Sequence, residues 1–114
     1  MPLGYTHRID LSAMPWNQPA PGIRHKVFSD GRRRLRLVEL TEEFRDPDWC
    51  TREHAGYLLE GRMSIHFDGE VIDLKAGDAF LIPAGREHRH RAQVLKGHTA
   101  RLVLVEEDLI IGYS

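Results

Sequence analysis

Two histidines, His88 and His90, follow a short apolar segment that ends in a tight turn. The segment covers residues 79–82, and Pro83 and Gly85 come directly after it. Because proline has no amide hydrogen to donate and glycine tolerates positive φ, we expect the chain to turn here and leave the sheet. Such a turn can aim an imidazole, a common metal ligand, at a pocket. The alternative is a hairpin corner with two solvated histidines.

Cys50 and His54 form a second pair of side chains that could bind a metal. They are four residues apart in a predicted strand, so both side chains point to the same face if the strand has no bulge. Cys50 is the only cysteine of the chain and cannot form an internal disulfide, which fits a reducing compartment. The alternatives are that Cys50 is a small buried hydrophobic side chain and that His54 is a hydrogen-bonded residue of the interior.

The elements that must position these residues are predicted to be β-strands. Leu35 and Leu37 alternate with arginines, and Asp68-Gly69 is a strong hairpin signal. No segment shows convincing helical periodicity, so an antiparallel sandwich or barrel is expected. Residues 1–22 hold four of the six prolines and are predicted to form an extended arm, and residues 23–114 a single domain. About eight strands are predicted, over residues 23–28, 33–41, 49–60, 62–67, 70–74, 79–82, 90–94 and 99–106.

Composition restricts the class of partner. The 114 residues carry a net charge of −1, so no strong field attracts nucleic acid or an anionic membrane. The basic cluster at residues 32–36 is followed by several glutamates, which is typical of a solvated strand face. No apolar run reaches the roughly 18 residues of a membrane span, and the N-terminus lacks a signal-peptide pattern. We therefore expect a cytoplasmic protein that binds neither nucleic acid nor a membrane.

Four residues at fixed spacing, Gly77, Pro83, Gly85 and His88, match the second signature of the cupin family. Residues 57–61, Tyr-Leu-Leu-Glu-Gly, are similar to the end of the first cupin signature. The chain is identified on these residues as a member of the cupin superfamily. The resemblance implies an antiparallel jelly-roll β-barrel with a small-molecule pocket, in a protein that is usually a homodimer. The arm and residues 32–40 are the predicted dimer contacts, because an open sheet edge needs covering.

The chain departs from the family at the metal ligands. Cupins typically supply His-x-His, a glutamate and the histidine of the second signature. Here Pro47 and Trp49 occupy the first two positions and His54 occupies the glutamate position. A substitute set is nonetheless present, and thiolate with imidazole suits zinc, copper or iron. We predict that one such divalent ion, if the site holds a metal, is bound by His54 and His88 together with Cys50 or His90.

Two functions follow from these expectations. In the first, the protein is an enzyme whose metal polarises a substrate oxygen or activates dioxygen, as in a metal-dependent cupin oxygenase or isomerase. In the second, it is a metal-free, non-catalytic module that recognises a small ligand, for example in regulation. The missing family ligands favour the second function, whereas the histidines at positions 54 and 88 favour the first. The sequence names no substrate.

Overall fold

The structure, a computed structural model, describes residues 7–46 and 48–107. A short 3-10 turn, Leu11–Ala13, precedes the strands. None of the helices among these residues is long and apolar enough to cross a membrane. The strands are β1 (Asn17–Ala20), β2 (Ile23–Ser29), β3 (Arg33–Thr41), β4 (His54–Glu60), β5 (Arg62–Phe67), β6 (Glu70–Lys75), β7 (Ala79–Ile82), β8 (His90–Val94) and β9 (Thr99–Glu107).

The nine strands form two antiparallel sheets, which confirms the predicted all-β class. The larger sheet has the order β1-β2-β3-β9-β4-β7, and the smaller one has the order β6-β5-β8. Residues that point inward from both sheets form one apolar core, in which Leu58, Met63 and Val38 are the largest fully buried side chains. Strand β9 shows the alternation clearly, since Ala100, Leu102 and Leu104 are all buried.

Turn residues set the corners of the barrel. Gly69 has a φ of 85° in the β5–β6 hairpin that Asp68-Gly69 predicts. Gly61 joins β4 in the larger sheet to β5 in the smaller sheet with a φ of 88°, and a Cβ there would collide with the carbonyl oxygen of Thr99. Glycine is therefore required at this corner.

The N-terminal region, predicted to form an extended arm, lies against the sheet of its own chain. Residues 17–20 form edge strand β1, which pairs with β2 of the same chain. The Trp16 ring lies under the Arg24 guanidinium, 4.2 Å from the ring centroid, which fixes the segment against the sheet. The first part of the predicted arm, residues 1–6, lies outside the described residues.

The expectation that residues 32–40 form an open sheet edge is wrong. Strand β3 lies inside the larger sheet, where it pairs with β2 on one side and with β9 on the other. Its backbone groups are therefore satisfied within the chain and need no second barrel to cover them. The homodimer itself stays a prediction.

Candidate metal centre

A cavity of about 310 Å³ lies between the two sheets. Its walls are mostly apolar and come from both sheets, with Phe44 and Phe80 as the aromatic side chains. Among the described residues, the polar side chains that line it are Arg36, Asp46, Cys50, His54 and His90. A largely apolar cavity with a few converging polar groups is the usual form of a small-molecule site.

Three of these side chains form a cluster of metal-ligand type. Cys50, His54 and His90 each offer one ligand atom, and these atoms all lie within 4.8 Å of one another. The Cys50 sulfur is 3.2 Å from His54 Nε2, and the rings of His54 and His90 meet edge to face with centroids 4.9 Å apart. Thiolate and imidazole therefore converge on one point of the cavity wall.

Cys50 and His54 are in contact, but not because they lie on the same face of one strand, as predicted. Strand β4 begins at His54, whereas Cys50 forms an isolated bridge with His90. The Cys50 amide donates to the His90 carbonyl at 2.8 Å, and the His90 amide donates to the Cys50 carbonyl at 3.0 Å. Cys50 is thus held against β8 of the smaller sheet and faces His54 at the start of a strand in the larger sheet.

Each imidazole is anchored through its other ring nitrogen. His54 Nδ1 lies 2.6 Å from Glu106 Oε2 in an ion pair. His90 Nδ1 lies 3.1 Å from the His88 carbonyl oxygen, which can only accept, so this nitrogen carries the proton and donates. Both anchors leave Nε2 for the cluster. Metal-binding histidines typically place their second ring nitrogen beside a carboxylate or a backbone carbonyl in this way. The His54–Glu106 contact is an ion pair whose N–H direction is not that of a hydrogen bond.

Glu106 is the buried anion behind His54. Its side chain is fully buried and accepts from Arg34 Nε at 2.8 Å and from Arg36 Nε at 2.8 Å. Burial raises the pKa of Glu106, but its contacts with His54 and Arg36 outweigh burial and hold that pKa well below 4.5. Glu106 is therefore ionised and fixes the orientation of the His54 ring.

Cys50 and His54 perturb each other. Burial raises the pKa of the Cys50 thiol, yet hydrogen bonds with His54 and His90 outweigh this and lower it from 9.0 to about 6. Burial lowers the pKa of His54, but Cys50 and Glu106 together raise it from 6.5 to about 9. In the absence of a metal, the pair is a thiolate next to an imidazolium around neutral pH.

His88 is placed differently from the other predicted ligands. It ends the 3-10 turn Arg86–His88, and among the described residues it neither joins the three-residue cluster nor lines the cavity. The chain leaves β7, makes this extra turn and resumes as a strand at His90, so the histidine that the bend turns inward is His90. The backbone carbonyl of His88 still contributes, because it orients the His90 ring.

Sequence reasoning missed two further residues of the site, Glu106 and Asp46. Glu106 continues the inward-facing series of β9, and a carboxylate in that register was the available signal. Asp46 lies in the loop before β4, and it lines the cavity. Pro47, at one of the family's usual ligand positions, lies outside the described residues.

The donor set fits a soft transition-metal ion. Bonds of about 2.3 Å to sulfur and about 2.0 Å to nitrogen place tetrahedral ligand atoms roughly 3.5 Å apart. The observed sulfur–nitrogen distance of 3.2 Å is close to that value. One thiolate and two imidazoles also match the ligand preference of zinc, copper or iron over magnesium or calcium.

Comparison with known proteins gives the family and the fold. A model of the cupin domain matches residues 47–106. The uncharacterized protein YdbB of Bacillus subtilis (strain 168) is 36% identical over 84 residues, which are 65% of this chain and 72% of YdbB.

Two solved structures superpose over most of the chain. The polyketide cyclase RemF from Streptomyces resistomycificus has a TM-score of 0.74 at 23% identity, over 90% of this chain and 80% of RemF. An RmlC-like cupin from Shewanella frigidimarina NCIMB 400 also has a TM-score of 0.74, at 15% identity, over 94% of this chain and 95% of its own. At these identities the likeness concerns the fold alone, and it confirms the predicted jelly roll.

Proposed function

This chain belongs to the cupin domain family, and from that premise we propose that it binds a small molecule in its barrel beside a transition-metal ion held by Cys50, His54 and His90. The observation that carries the proposal is that the ligand atoms of Cys50, His54 and His90 lie within 4.8 Å of one another. Nδ1 of each imidazole meanwhile lies against an oxygen atom, of Glu106 for His54 and of the His88 carbonyl for His90. Such anchoring fixes the tautomer that a metal needs.

Three protein ligands leave a coordination position for water or a ligand atom, which is the usual form of a catalytic metal site. When bound, the ion supplies a Lewis acid at the cavity wall. Cys50 contributes a negative charge, Glu106 holds the His54 ring, and the apolar walls exclude water from the bound molecule. This arrangement would support polarisation of a ligand oxygen, as in an isomerase, or, with a redox-active ion such as iron or copper, the use of dioxygen, as in an oxygenase.

Cobalt binding tests the proposal. When Co²⁺ is added to chelator-treated protein, we expect a sulfur-to-cobalt charge-transfer band in the near ultraviolet, because a thiolate is one of the ligands. Cys50 is the only cysteine, so Cys50→Ser should remove the band completely. The absence of this band from cobalt-loaded wild type, or its persistence in Cys50→Ser, would show that the sulfur is not a ligand.

The contacts of His54 favour a second function, that of a cysteine hydrolase. The His54 ring lies between the Cys50 sulfur and the Glu106 carboxylate. The sulfur lies 3.2 Å from one nitrogen of His54, and the carboxylate lies 2.6 Å from the other. A nucleophile, a base and a group that orients the base are the parts of a cysteine hydrolase site. In this role the Cys50 thiolate would attack the acyl carbon of an ester or amide ligand, and the alcohol or amine would leave with the proton held by His54. Water would then hydrolyse the thioester and release the acid and the free cysteine.

The rate of alkylation of Cys50 in metal-free protein should depend on pH with a midpoint near 6. The thiolate is the reactive form, so the rate should be high above the pKa of about 6 and fall as the pH drops through it. The same cysteine in the urea-unfolded chain is the matched control, and its midpoint should lie near 9. Iodoacetamide labelling followed by mass spectrometry measures both, and coincident midpoints would contradict an activated thiolate.

Metal content separates the two functions. The metal-dependent function requires that the purified protein retain about one ion per chain. It also requires that Cys50 resist alkylation until the ion is removed by a chelator. Protein that is purified without an ion and is alkylated rapidly at pH 7 behaves as the second function requires.

A further inference from the structure

Asp46 is a carboxyl group on the cavity wall that neither proposed function uses. It is half-buried and lines the cavity together with Cys50 and His90, at the border with a second, more polar pocket that Arg91 also lines. Its Oδ2 accepts a hydrogen bond from the Ala92 amide at 2.7 Å, which fixes the side chain against β8. Within the described part of the chain, no ion pair to Asp46 is present, and Oδ1 has no hydrogen-bond partner. Asp46 Oδ1 is not among the fully buried polar atoms that have no partner, so it is accessible and can accept a hydrogen bond from a bound molecule.

The other polar groups of the cavity are already engaged. Arg36 gives Nε and Nη2 to Glu106 and places Nη1 3.0 Å from His25 Nδ1. Cys50, His54 and His90 belong to the proposed metal centre. When the proposed centre holds a metal, Asp46 is therefore the polar side chain, among the described residues that line the cavity, with an acceptor left for a ligand.

We propose that Asp46 selects the ligand by accepting a hydrogen bond from it through Oδ1. The cavity then takes a small, neutral or cationic molecule with an apolar body and a hydroxyl or amino group, and it disfavours carboxylates and phosphates. The inference rests on the proposed function only in taking the cavity as a ligand site. The volume of about 310 Å³ is at the lower end of the range for ligand pockets, about 300–1,000 Å³, which favours a molecule of one ring.

Phenol and anisole test this selection in chelator-treated protein, where no metal contributes. The Cys50 thiolate is then a second acceptor in the cavity, and the Asp46→Asn variant distinguishes Asp46 from it. Both are neutral one-ring molecules with an oxygen, but only phenol has an O–H to donate. We expect phenol to bind at least about tenfold more tightly than anisole, because a hydrogen bond to a charged acceptor is worth that much or more. Apolar walls alone would favour anisole, so they cannot produce this preference. Benzoate should bind more weakly than phenol.

Asp46→Asn should remove the preference, leaving the two affinities within about threefold. The amide oxygen can still accept from the Ala92 amide, so the loop keeps its anchor. Asp73→Asn, which changes an exposed carboxylate on β6, is the matched control and should retain the preference for phenol. Isothermal titration with each compound gives the affinities, and thermal melting verifies the fold of both variants.

The outcomes are decisive in either direction. Equal affinities of wild type for phenol and anisole, or binding of neither at millimolar concentration, would overturn the inference whether or not Asp46→Asn folds. If Asp46→Asn still preferred phenol over anisole, the preference would come from a group other than Asp46, and the inference would be overturned. Cobalt titration separates this inference from the proposed metal centre, because Asp46→Asn should bind cobalt as wild type does. A phenol preference in wild type that binds no metal would refute the metal centre alone.

Discussion

Glu106→Ala is expected to lower the free energy of unfolding by about 3–5 kcal/mol, because it leaves buried charge without its partner. The Glu106 side chain is fully buried and balances Arg36, whose side chain is only 12% exposed, as well as Arg34. It also holds the His54 ring. Urea denaturation followed by circular dichroism measures the loss.

The neighbouring Glu107→Ala is the matched control for this substitution. Glu107 ends the same strand but is exposed, so its replacement should change the free energy of unfolding by no more than about 0.5 kcal/mol. Equal effects of the two substitutions would contradict a central role of Glu106 in the charge network.

Acid provides a second check on Glu106. The pKa of Glu106 is depressed in the folded protein. The stability that Glu106 contributes is therefore present above pH 4.5 and is lost progressively as the pH falls below 4.5. The difference between wild type and Glu106→Ala should therefore narrow in acid. A difference that is constant from pH 7 to pH 3 would mean that the carboxylate charge is not the cause.

The strand pattern was predictable because its signals are local. Asp68-Gly69 forces a tight hairpin, and the leucine–arginine alternation of β3 is visible within nine residues. The position of a strand within its sheet is not local. That β3 lies inside the larger sheet depends on its pairing with β9, about seventy residues later, so the interpretation of residues 32–40 as an edge was wrong.

The candidate site was predictable only in part, for the same physical reason. The turn after Pro83 indicated that a histidine would be turned inward, but strand parity cannot be counted through the 3-10 turn Arg86–His88. The distinction between His88 and His90 therefore needed coordinates. Glu106 carries no motif, and its contact with His54 spans 52 positions of the chain. The backbone bridge from Cys50 to His90 is equally non-local.

His88→Gln and His90→Gln are expected to differ completely in metal content. His90 supplies a ring nitrogen to the cluster, whereas His88 supplies only its backbone carbonyl, which the substitution preserves. The loss of an outer partner of a ligand typically costs about 10–100-fold in metal affinity, so the loss of a direct ligand should cost more than about 100-fold. The two variants remove chemically identical groups two residues apart.

Elemental analysis of untagged protein after reloading with zinc and gel filtration makes this comparison directly. We predict about one ion per chain in wild type and in His88→Gln, and about one-tenth of that or less in His90→Gln. Thermal melting before reloading verifies that both variants are folded. Metal retained in His90→Gln and lost in His88→Gln, or no metal in wild type, would contradict a centre built from Cys50, His54 and His90.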